Sequence, residues 1–155
     1  MTSSYLFENI QILDGPKSKL REETVLILNG LIKAFGKKAF QDGVRLGIKP
    51  QKANNKLLAP CLVDPHSFLD SPYSEKRENI YTLIKNAAIA GYGQLGILPR
   101  AELWRDKVEV IASLKAIKSE VLLHPWGGFS EGGKGLSLSR HYDLLRNGAI
   151  GLAED

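Results

Sequence analysis

Cysteine is nearly absent, with Cys61 the single one in 155 residues. One thiol forms no internal disulfide and excludes a metal site built on several thiolates. Long apolar runs are missing too, none nearing the ~20 residues that span a bilayer. The start Met1-Thr2-Ser3-Ser4-Tyr5 has no basic stretch leading into an apolar one, so no signal peptide is read there. Charge of one sign is also lacking: 21 Lys and Arg stand among 17 Asp and Glu, a net charge of +4. The two signs are interspersed, which predicts a solvated surface and neither a nucleic-acid nor a membrane partner. What is present is ordinary. Hydrophobic residues at 43% and charged residues at 25% suit a soluble, cytoplasmic globular protein.

Two regions differ in rhythm. Residues 1–56 read as a β-rich subdomain: Tyr5 to Leu13, then the turn Asp14-Gly15-Pro16, then Glu23 to Leu28 and Leu31 to Gly36. The last two flank Asn29-Gly30, a strong hairpin signal. A short helix is expected over Lys37 to Leu46 and a polar loop over Pro50 to Lys56. Residues 57–155 alternate strand and helix. Leu58 to Val63, Gln94 to Leu98, Glu120 to Leu123 and Ala149 to Leu152 read as strands. Glu75 to Ala90, Ala101 to Lys118 and Leu138 to Arg146 read as helices, with apolar residues at helical spacing. Cys61, inside the first apolar run, is expected in the core. The alternation predicts an α/β fold with a parallel sheet, about four βα units of a barrel. Such a half-barrel has an open edge, so a homo-oligomer or a covering partner chain is expected.

The stretch from Val63 to Asn79 carries a resemblance. Val63, Asp64, His66, Leu69 and Pro72, then Glu75, Arg77 and Glu78, match the signature V-D-x-H-x-H-L-R-x-P-G and its E-x-K/R-E-D continuation without a gap. Ala87 to Tyr92 looks like A-A-A-A-G-G-F, and Leu98-Pro99-Arg100-Ala101 stands where M-P-N-T is found. Gly127 to Gly132 resembles G-A-L-T-x-G, and Asn147 to Asp155 resembles A-G-A-V-A-F-S-D-D. In this order the motifs resemble the first part of the dihydroorotase family of cyclic amidohydrolases. The resemblance implies a β-rich segment followed by the first half of an amidohydrolase-type TIM barrel. It also implies reversible hydrolysis of the dihydroorotate ring amide in pyrimidine biosynthesis, run by zinc.

The same resemblance implies which residues depart from that chemistry. The family's two histidines after strand one hold zinc with a carboxylate or modified lysine after strand four, and later strands add further ligands. Here His66 keeps the first position, while the second is Phe68, which cannot ligate. A zinc site needs at least three protein ligands. Glu154 or Asp155 stands for the strand-four carboxylate, with Asp155 carried as the metal position beside His66. The substrate-binding arginine and asparagine correspond to Asp70 and Arg100. This exchange reverses the charge that would fork a substrate carboxylate, and the two residues are expected to pair across the pocket. No catalytic residue is assigned and no cofactor is expected for this chain. The expectation is an inactive member or a fragment that acts by association; the alternative is a portion of an active zinc-dependent amidohydrolase with a rearranged site.

Two glycine motifs compete with this reading. Gly91 to Gly96 matches G-x-G-x-x-G but follows a helix, so a helix-ending turn is the better account. Gly128 to Gly135 nearly matches a phosphate loop, yet ends in Gly135 where a hydroxyl is needed and carries Glu131. His124 and His141 read as a packed loop residue and a helix-surface residue, and Trp104 as a packing residue.

Overall fold

The computed structural model describes residues 4–69, 78–101 and 103–154. The chain forms two compact units, Met1–Pro60 and Cys61–Asp155.

In the first unit, β1 (Tyr5–Ile12), β2 (Arg21–Leu28) and β3 (Leu31–Phe35) form an antiparallel meander, followed by α1 (Gly36–Arg45). The β2–β3 turn is Asn29-Gly30, with φ of 53° and 77°. Positive φ at both positions is what a two-residue hairpin turn requires, and Asn and Gly tolerate it best. Along β1, Leu6 is buried with Leu26 of β2. Past a bulge between Phe7 and Ile10, the residues Ile10 and Ile12 are buried with Val25 in a second cluster. The expected polar loop at 50–56 is partly strand. β4 (Pro50–Lys52) and β5 (Leu57–Leu58) both run parallel to β1 on its second edge. Backbone pairing is indifferent to side-chain polarity, so a polar segment meets the need of that edge.

The apolar run around Cys61 therefore divides. Leu57–Leu58 pairs with β1, and β6 begins only at Leu62. Cys61 lies between them, exposed instead of in the core.

The second unit alternates as expected, with shifted bounds. β6 (Leu62–Ser67), β7 (Tyr92–Ile97) and β8 (Leu122–Pro125) are parallel neighbours. β9 (Gly127–Gly128) pairs in parallel with β10 (Leu152–Ala153). Only Trp126 separates β8 from β9, and the ladder runs through it. Ile150 donates to the Pro125 carbonyl (3.0 Å) and Gly127 to that of Gly151 (2.9 Å). Strand four thus joins the third, giving four parallel strands in chain order.

The connecting helices are α2 (Ile80–Ile89), α3 (Val108–Ala116) and α4 (His141–Arg146). α2 starts at a capping box in which Asn79 accepts from the amides of Tyr81 and Thr82, not at Glu75. α3 starts seven residues later than its apolar spacing predicts. α4 is the shortest. Ile84, Ala87 and Leu114 of the helices bury Leu95, Ile97 and Leu123 of the sheet. By alternation the other face carries Gln94 and Leu122, in one register row with Val63. Val63 and Leu122 are 55% and 57% exposed. Among the described residues no helix is long and apolar enough to cross a membrane.

Candidate functional site at the strand ends

In a parallel barrel, functional groups project from the C-terminal strand ends. At the end of β6, the Asp64 carboxylate accepts from the His66 amide (2.9 Å) and the Ser67 hydroxyl (2.7 Å). This local turn commits Asp64 to shaping the strand end. His66 is exposed there, its ring 5.9 Å from that of Trp126 and tilted by 38°. The Trp126 indole N–H donates to the Pro65 carbonyl (2.9 Å). Phe68, at the family's second histidine position, offers only carbon.

The next residue, Leu69, is buried, and its carbonyl accepts from the guanidinium of Arg105 (2.6 Å). Arg105 also donates to the carbonyls of Leu98 (2.7 Å) and Arg100 (3.1 Å). Its own carbonyl accepts from Gly128 (2.8 Å). One buried cation therefore ties the loops after β6 and β7, while its backbone holds β9. Sequence reasoning placed Arg105 inside a helix and missed it. Three of its partners are backbone carbonyls, which leave no trace in the pattern of side chains.

Past β9 the glycine-rich loop turns through a 3₁₀ segment, Glu131–Gly133. The Ser130 amide donates to the Glu154 carboxylate (2.9 Å), and the Ser130 hydroxyl donates to its other oxygen. Gly132 donates to Asp106 (2.8 Å), and Gly135 to the Ser130 hydroxyl (2.8 Å). These amides, which a phosphate loop would aim at a ligand, serve the protein's own acceptors. Trp104 donates to the Ser130 carbonyl (2.9 Å), packing on this loop as the sequence suggests, though from a segment ahead of α3.

His124 lies on β8 and hydrogen-bonds Gln94 of β7 (2.9 Å). Burial first, and the charge of Lys115 second, hold its pKa below the usual imidazole value. His141 opens α4, half-buried against the Phe129 ring, with Nε2 2.7 Å from the Phe129 carbonyl. Arg100 lies in the loop after β7. Asp70, its expected partner, and Asp155, the expected strand-four ligand, lie outside the described residues.

The described residues at these strand ends do not by themselves gather a zinc site. His66 faces an indole, the adjacent ligand position is a phenyl ring, and both oxygens of Glu154 accept from Ser130. Among the described residues, no three His, Cys, Asp or Glu side chains gather as a metal site.

No protein-family model matches the chain. A dihydroorotase of Pelotomaculum thermopropionicum is 31% identical over 146 residues, which is 93% of this chain and 33% of that protein. A dihydroorotase of Thermoanaerobacter sp. (strain X514) is 29% identical over 154 residues, 97% of this chain and 34% of that protein. Among solved structures, the L-hydantoinase (dihydropyrimidinase) of Arthrobacter aurescens matches with a TM-score of 0.69 at 15% identity. The match covers 96% of this chain and 32% of that one, a likeness of fold. The chain spans about a third of the length of the relatives it matches. Over nearly its whole length the chain is thus similar to proteins named dihydroorotase, and it shares its fold with a hydantoinase.

Proposed function

We propose that this chain is a catalytically silent dihydroorotase-like protein, soluble and cytoplasmic, that acts by association. The observation that carries the reading is the environment of His66. Its ring lies against Trp126, and the residue two positions on is Phe68. A hydrolytic zinc generates hydroxide near neutral pH only when several ligands hold it with a site open to water. One imidazole facing an indole, with a phenyl ring at the second ligand position, does not supply that. Asp70, where the family has arginine, adds repulsion toward an anionic substrate, and we pair it with Arg100 across the former pocket.

The test is direct. Purified protein, incubated with zinc and dihydroorotate, is expected to retain less than stoichiometric metal and to show no turnover above background. The double variant Phe68→His, Asp70→Arg is expected to stay inactive, because Trp126 still lies against His66 and both oxygens of Glu154 still accept from Ser130. Turnover that a chelator abolishes would overturn the reading in favour of a portion of an active amidohydrolase with a rearranged site.

A further inference from the structure

We propose that the indole of Trp126 is an intramolecular occupant of this site, filling the mouth of the four strands in place of an external ligand. The proposal rests on the idle-site reading and says what holds the site idle.

Trp126 sits where β8 passes into β9, and its backbone amide donates to the Ile97 carbonyl of β7 (2.8 Å). The side chain does not point to the helices, and none of the core clusters of this unit includes it. It reaches instead to β6, donating to Pro65 (2.9 Å) and facing His66. Two glycines make that path possible. A Cβ on Gly96 of β7 would collide with the Pro65 carbonyl, the same oxygen that accepts from the indole. A Cβ on Gly151, just before β10, would lie 2.5 Å from Cζ3 and 3.0 Å from Cε3 of the indole. Groups of strands one and four thus flank one ring sent from strand three.

A core role is the plain alternative. It fits poorly, because Trp126 is only half-buried and its described neighbours include an imidazole, a carbonyl and glycine backbone. Those are the groups of a ligand pocket, with one polar contact fixing the orientation of a flat apolar body.

The experiment is chemical rescue with free indole. Trp126→Ala in the full chain is expected to lower Tm by about 5–10 °C, as truncation of a large packed side chain does. Millimolar indole is expected to restore part of that loss and to leave the unsubstituted protein unchanged. An unchanged Tm in the variant, or indole acting equally or not at all on both proteins, overturns the proposal. Should Trp126→Ala fail to fold, Gly151→Ala decides. Its added methyl pushes on the ring, and tryptophan emission is expected to move to longer wavelength; unchanged emission overturns the proposal. These readouts differ from zinc content and turnover of the unsubstituted protein, so failure here is separable from failure of the idle-site reading.

Discussion

At Arg105 a guanidinium only 1% exposed is hydrogen-bonded to the carbonyls of Leu69, Leu98 and Arg100. A charge taken out of water costs several kcal/mol unless it is answered by acceptors in good geometry. Its removal then orphans those acceptors in turn. Arg105→Met keeps much of the aliphatic volume and deletes the donors. It is expected to lower the unfolding free energy by about 3 kcal/mol or more. Arg105→Lys, with a single point of donation, is expected to recover only part of this. Urea unfolding of the two variants checks the order. If Met is tolerated within ~0.5 kcal/mol, as at an ordinary surface position, the carbonyl cluster is not what holds the strand ends.

Elements show where local chemistry governs and where it yields. The hairpin at Asn29-Gly30 is legible because the turn is set by two residues' own φ preferences. The start of α3 is not. Apolar spacing carries the helix back to Ala101, but Trp104 and Arg105 make long-range bonds to Ser130 and Leu69 that a helix there would forfeit. The same distance hides the site. The motif residues His66 and Phe68 can be read from sequence, whereas Trp126 meets Pro65 across 61 residues, with glycines as its only sequence trace. α2 lies between these extremes. Its capping box was latent in Asn79-x-x-Thr82, yet the apolar pattern drew the start forward to Glu75. Asn79 accepts from two amides and Thr82 answers the Asn79 amide (3.1 Å), so three otherwise orphaned donors are met. Asn79→Ala is expected to cost about 1 kcal/mol, and Asn79→Asp much less. Equal losses for the two in denaturant titration would show that the cap does not set this terminus.

For the whole molecule, we propose that the open face of the β6–β7–β8 sheet seats a neighbour. Val63 and Leu122 expose large apolar side chains in one register row with Gln94, and the row carries no charge. Apolar side chains left in water favour association. An uncharged row can meet its own copy across a twofold axis without like-charge repulsion, which is why a second copy of the chain is the occupant we favour. Leu122→Glu places a carboxylate opposite its twin in such a pair. Because Leu122 is already more than half exposed, the substitution is expected to leave the melting temperature of the isolated chain nearly unchanged while abolishing self-association. Sedimentation at micromolar concentration is expected to give a dimer for the natural sequence and a monomer for Leu122→Glu. A natural sequence that sediments as a monomer, or a glutamate variant that stays dimeric, removes this face as the seat of self-association and turns the search to a different partner chain.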